Sequence, residues 1–232
     1  MFLPFTRSEF LQVFVAYNNA IWPFQILAAV LGVLAIVLLL WGTRESDRVI
    51  TGVFFFFWLT MAVGYHWLFF AQINDAAYLF GALFLLASAI FLVEGVIRNR
   101  IHYTIVSGLR GWLAAALILY AFVIYPLFGL LITHPYPQTP LFGVAPCPTT
   151  IFTLGFLLLV EHPRPLLLAA VPLLWSLIGG SAAFLLAVPQ DLGLLAAALT
   201  WIAGSFSRGS IGNRPPIPLQ FPPTLRRRSK RR

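Results

Sequence analysis

TTIFTLGFLLLV, residues 149–160, is the stretch on which the reading of this chain turns. It is apolar and uncharged, and Pro148 and Glu161 bound it. As an α-helix it would rise about 18 Å, short of the roughly 30 Å of a bilayer's hydrocarbon core. Counted as a membrane span, it is the fifth of seven. Set aside, it leaves six spans and a re-entrant segment. The other apolar runs cover about 20–42, 50–70, 76–97, 112–132, 166–188 and 191–206. The first four and 166–188 are long enough to cross unaided, and 191–206 is short as well.

The basic residues decide between the two counts. With seven spans, Arg44 and Arg48 follow the first, Arg98, Arg100 and Arg110 the third, and Arg164 the fifth. The seventh is followed by Arg208, Arg214, Arg226, Arg227, Arg228, Lys230, Arg231 and Arg232. All of these fall on one side and only Arg7 on the other. Basic residues near span ends stay cytoplasmic. With six spans the basic tail would share a side with Arg7. The expectation is therefore an all-α polytopic membrane protein with seven transmembrane helices, the N-terminus outside and the C-terminus cytoplasmic. Trp22, Trp41, Trp67, Trp112 and Trp201 lie near span ends, as interfacial belts do.

Composition agrees. Of 232 residues, 60% are hydrophobic and only 9% charged, against about 25% charged in a soluble domain. The net charge of +8 comes mostly from RRRSKRR at 226–232. It belongs to the tail, so nucleic acid is not an expected partner. The only cysteine is Cys147, which rules out an internal disulfide and a zinc site built on several cysteines.

Two flanks differ from the spans. Residues 6–19 read as a short interfacial helix opened by a capping box, Thr6 with Glu9. Phe10, Val13, Phe14 and Tyr17 fall on one face. The N-terminus lacks the basic region and the cleavage site of a signal peptide. Residues 207–232, rich in Pro and Arg, read as a disordered cytoplasmic tail beyond a single helical domain at 1–206. The lipid bilayer is the first expected partner, and the tail should be drawn to anionic lipid.

Residues 134–165, HPYPQTPLFGVAPCPTTIFTLGFLLLVEHPRP, look least like plain membrane packing, with seven prolines and two H-P-x-P units. Non-helical backbone at membrane depth persists only where protein buries it or it lines a cavity. Residues 141–148 would run inward as irregular chain, and a half-helix would open at Thr149, the arrangement of many transporter sites. A helix start offers free N–H groups and partial positive charge. Cys147, Thr149 and Thr150 are its candidate ligand-binding residues. The site would suit an anion or a polar small molecule. Equally, the APCP turn is a tight bend and the thiol is packing.

Other polar residues gather on the same side: His66, Asp75, His134, Gln190 and Asp191. His66, Asp75 and His134 join Cys147 as candidate cavity lining, with metal or proton chemistry as one use. Each also has an ordinary structural reading, and Asp75 could simply cap the helix that follows. Glu94 and Arg98, four apart, fit a helix ion pair. Glu161 beside His162 and Arg164 reads similarly. Gly179 and Gly180 should let helices approach closely. No lysine stands in a span to carry retinal, and no H-E-x-x-H, G-x-S-x-G or Walker motif occurs. No catalytic residue, cofactor or metal follows from the sequence.

YNNAIWPFQ at 17–25, YHWLFFAQIN at 65–74 and FGVAPCPTTIFTLG at 142–155 resemble a group of uncharacterised bacterial multi-pass membrane proteins, classed as a domain of unknown function. The resemblance implies a bacterial inner-membrane location and brings no activity. The expected function is binding or transport of a small solute or ion at the broken fifth span. A membrane-embedded metal or redox enzyme or sensor is one alternative, and a scaffold subunit another.

Overall fold

The structure, a computed structural model, describes residues 4–133 and 135–206. The expected tail, 207–232, lies outside these residues.

Helix α1, Arg7–Ala20, opens on the expected capping box. The Thr6 hydroxyl accepts from the Glu9 N–H at 3.3 Å, and the Glu9 carboxylate accepts from the Thr6 N–H at 2.7 Å. Phe10, Val13, Phe14 and Tyr17 are buried, the four residues placed on one face by their spacing. Helix α2, Phe24–Trp41, ends at Gly42, whose φ of 60° is the left-handed stop that glycine takes without strain. Helix α3, Arg44–Thr60, starts on Thr43, whose hydroxyl accepts from the Ser46 N–H, and runs on as a π-helix, Met61–Phe69. Helix α4, Ala76–Ile90, also continues as a π-helix, Phe91–Ile97. Helix α5, Leu109–Leu119, passes through the π-turn Tyr120–Ile124 into α6, Tyr125–Phe128, and a last π-turn, Gly129–Thr133.

Helix α7, Pro146–Leu157, is the short element. It starts three residues earlier than its sequence implied. Pro146 and Pro148 fall in its first turn, where a missing N–H costs nothing. Helices α8, Pro165–Leu185, and α9, Leu192–Phe206, complete the bundle. Strands β1, His102–Tyr103, and β2, Val160–Glu161, pair antiparallel, His102 opposite Glu161. This small ladder was not expected from the sequence.

Five stretches are long and apolar enough to cross a membrane: Phe24–Trp41, Arg44–Gln72, Ala76–Ile97, Leu109–Leu131 and Pro165–Leu185. They carry their apolar excess outward. Leu40, Trp112, Leu131 and Phe184 are all at least 69% exposed, a surface suited to lipid and costly in water. Trp22, Trp41 and Trp112 are exposed as a belt requires, but Trp201 is core.

The inside of the bundle is α7. Every one of its twelve residues is buried, and it packs on α5, α8 and α9. Trp58 of α3 donates to the Thr153 hydroxyl at 3.2 Å. Phe54, Phe152 and Phe156 pack in tilted and edge-to-face pairs at centroid distances of 4.8–5.9 Å, and Phe91 and Tyr103 extend this plug. At the C-terminus of α7, the Arg110 guanidinium donates to the Leu158 and Val160 carbonyls, where a cation also meets the negative end of the helix dipole.

Two buried acids tie together the end that holds Arg110. Asp47 accepts from the Tyr103 N–H and meets His102 Nδ1, both at 3.1 Å. Glu94 pairs with Arg98 at 2.6 Å as expected, and also with Arg100 and His162. His162 Nδ1 accepts from the Arg164 N–H at 3.0 Å, so Nε2 carries the proton and donates to Glu94. The local pairing expected of Glu161 is not formed among the described residues. Its backbone joins the β ladder, and His162 turns to Glu94.

Candidate functional site

The end bearing α1 holds a cavity of about 130 Å³. Helix α7 brings Pro146 and Cys147 to it, α8 brings Trp175 and Gly179, and the turn before α9 brings Asp191. Phe10 and Phe14 of α1 cover one side, and Tyr65, Phe70 and Phe80 form another. The lining is mainly apolar and aromatic.

The cavity exists because residues 135–145 enter the bundle without forming a helix. Their polar backbone is held from two directions. From α1, the Tyr17 hydroxyl donates to the Val144 carbonyl at 3.1 Å, and Asn18 Nδ2 donates to the carbonyls of Pro137 and Thr139 at 2.7 and 3.0 Å. From α7, the Thr149 hydroxyl accepts from the Gly143 N–H at 3.0 Å and donates to the Ala145 carbonyl at 2.8 Å. Gly143 sits at φ 78°, with the Ala28 Cβ where its own would begin. This is irregular backbone at depth, made tolerable by internal hydrogen bonds.

Asp191 is the polar centre. It is 1% exposed, and its Oδ1 accepts from the Tyr125 hydroxyl at 2.5 Å. The Tyr120 hydroxyl donates to the neighbouring Gln190 carbonyl at 2.8 Å, so two tyrosines from the irregular part of the α5–α6 stretch fix this turn. The Cys147 thiol lies against Asp191, Tyr125 and Trp175. Trp175 Nε1 is buried beside the sulfur, with no hydrogen-bond partner that satisfies it among the described residues. Gly179 and Gly180 set the geometry. A Cβ on Gly180 would come within 2.7 Å of Leu195, and one on Gly179 within 2.9 Å of Leu194. Their absence lets α9 press on α8 and carry Asp191 to the cavity, the close approach expected of this pair.

The residues singled out by sequence fall in different places. Cys147 lines the cavity. Thr149 beside it is occupied with the loop, and the Thr150 hydroxyl is buried with no partner among the described residues. His66 does not line the cavity. It stands behind Trp175, ring centroids 5.1 Å apart, and within 4.5 Å of the Phe84 centroid. Neither of its ring nitrogens has a partner among the described residues. Asp75 is exposed at the start of α4, where Asn74 makes the capping bond instead, accepting from the Ala76 N–H at 3.1 Å. His134 lies outside the described residues. Asp191, noted in sequence only as a polar residue of the last turn, is the one that joins Cys147. Its signal was an acid opening an apolar run.

The expected anion-attracting helix start takes a different form. Pro146 and Pro148 have no N–H, so only Cys147 offers one within the first three residues of α7. The nearby charge is a carboxyl. Among the described residues, no group of three His, Cys, Asp or Glu comes together to hold a metal.

Residues 7–210 match the sequence profile of a family of unknown function, DUF6064. The chain belongs to the DUF6064 family. No curated protein and no solved structure matches it. This DUF6064 chain thus joins a helical bundle with apolar outer faces to one enclosed polar centre, Asp191 with Cys147, in an aromatic cavity.

Proposed function

We propose that this protein crosses the bacterial inner membrane seven times, N-terminus outside, and binds a small, largely apolar solute in the cavity at the head of α7. The observation that carries the binding reading is the cavity itself, where Asp191, the Cys147 thiol and an unsatisfied Trp175 N–H converge inside aromatic walls. Convergent polar groups in an otherwise apolar hollow are the ordinary form of a ligand site. The distribution of basic residues supports the orientation. Binding is favoured over passage because the aromatic plug of Phe54, Phe91, Phe152 and Phe156 fills the bundle beyond the cavity. The basic tail would rest on anionic lipid of the cytoplasmic leaflet.

Cys147 is the chain's only thiol, so it reports on the cavity without background. A small membrane-impermeant thiol reagent, applied to intact cells, should label Cys147 from outside, more slowly than in denatured protein. A solute that fills the cavity should slow it further. Labelling only after denaturation would reject an open cavity, and labelling only from the cytoplasm would invert the orientation.

A further inference from the structure

The cavity has a carboxyl without a counter-charge. The Tyr125 hydroxyl and the Cys147 thiol lie against Asp191, and both are neutral donors. Among the described residues, no Lys, Arg or His forms an ion pair with it; the ion pairs of Glu94 and Asp47 belong to the far end of the bundle. A carboxylate in apolar surroundings is costly until a cation joins it. The walls suit one kind of cation. Tyr65, Phe70, Phe80 and Trp175 line the cavity, and aromatic rings attract an ammonium group as well as an apolar body. An inorganic cation would find too few ligands, since among the described residues no third His, Cys, Asp or Glu joins Cys147 and Asp191. An anion would meet the Asp191 carboxyl and a helix start whose first three residues keep a single N–H, that of Cys147. The volume of about 130 Å³ is close to that of an engineered cavity, about 150 Å³, known to hold benzene.

We propose that the cavity takes a small organic amine of about one ring, its ammonium held by Asp191 and its body by the aromatic wall. This rests on the binding reading above and names its ligand class. Trp175 Nε1–H is then the donor for an acceptor atom on the same molecule.

The test uses the full chain, purified in detergent or lipid discs, and three isosteric probes: benzylamine, benzyl alcohol and benzoate. Binding is read by calorimetry and by protection of Cys147 from labelling. Benzylamine should bind at least about tenfold more tightly than benzyl alcohol, and benzoate most weakly. Asp191→Asn should erase the preference for the amine and leave the alcohol bound. If the alcohol binds as well as the amine, the amine inference is overturned and the binding reading stands. If none of the three binds or protects Cys147, the binding reading fails with it. The wild-type ranking decides by itself, so the result does not depend on the variant folding.

Discussion

Thr149 shows how a residue read as a ligand can have a different task. Its hydroxyl accepts from Gly143 and donates to Ala145, which closes the loop on which the cavity depends. Replacing Thr149 by Val keeps the shape and removes both bonds. It leaves a buried Gly143 N–H unsatisfied, at a cost of about 1–3 kcal/mol. Reversible denaturation in detergent should show Thr149→Val destabilised by that amount and Thr149→Ser much less so. The sequence marked this threonine because it follows the APCP turn. It did not reveal that the hydroxyl points back along its own chain, because that follows from the positive φ of Gly143. Asp191 was hidden for the opposite reason. Its partners Tyr125 and Cys147 lie 66 and 44 positions away, and tertiary packing, α9 against α5 and α7 as well as α8, brings them together.

At the scale of elements, periodicity and capping were legible. The capping box, the buried face of α1 and the stop at Gly42 follow from local residues. The β ladder and the bonds of Asp47 and His162 were not, since each joins segments more than fifty residues apart. Helix α1 carries an element-scale prediction because Phe10 and Phe14 cover the cavity. Bonds from the Thr6 N–H and hydroxyl lower the Glu9 carboxyl below its ordinary value of 4.5. A lowered acid contributes its stabilisation in full above the ordinary value and loses it as pH falls through the lowered one. The first turn of α1 should therefore fray only at pH below the usual carboxylate range. Amide exchange at Glu9 and Phe10, corrected for intrinsic rates, should lose protection there. Thr6→Ala should show the same loss at neutral pH, and unchanged exchange in that variant would contradict the role given to the cap.

For the whole molecule, the hydrophobic runs located the helices well because lipid-facing and core-facing surfaces are both apolar. That property also blurs them. Sequence cannot separate a helix that meets lipid from one wrapped in protein, so it marked α7 as a short span or re-entrant segment and not as the enclosed core. The proposed seven crossings, with basic residues gathered on one side, lead to a direct prediction. Reporter domains fused after residue 206 and in the 98–108 loop should both face the cytoplasm, and one before Arg7 should face outside. Agreement of the N- and C-terminal reporters would break the odd number of crossings.

Helix α7 lies wholly inside, and two of the helices that enclose it, α8 and α9, come after it in the chain. The ribosome therefore delivers α7 to the membrane before part of its seat, the α8 and α9 side, has been made. With only twelve residues it has neither the length to cross alone nor, at that moment, finished neighbours to shelter its unpaired ends. The enclosure of α7 is therefore complete only once α8 and α9 are laid against it. The cavity and its Asp191–Cys147 centre are then the last features of the protein to form, and none of them exists in a chain whose synthesis stops short of α9.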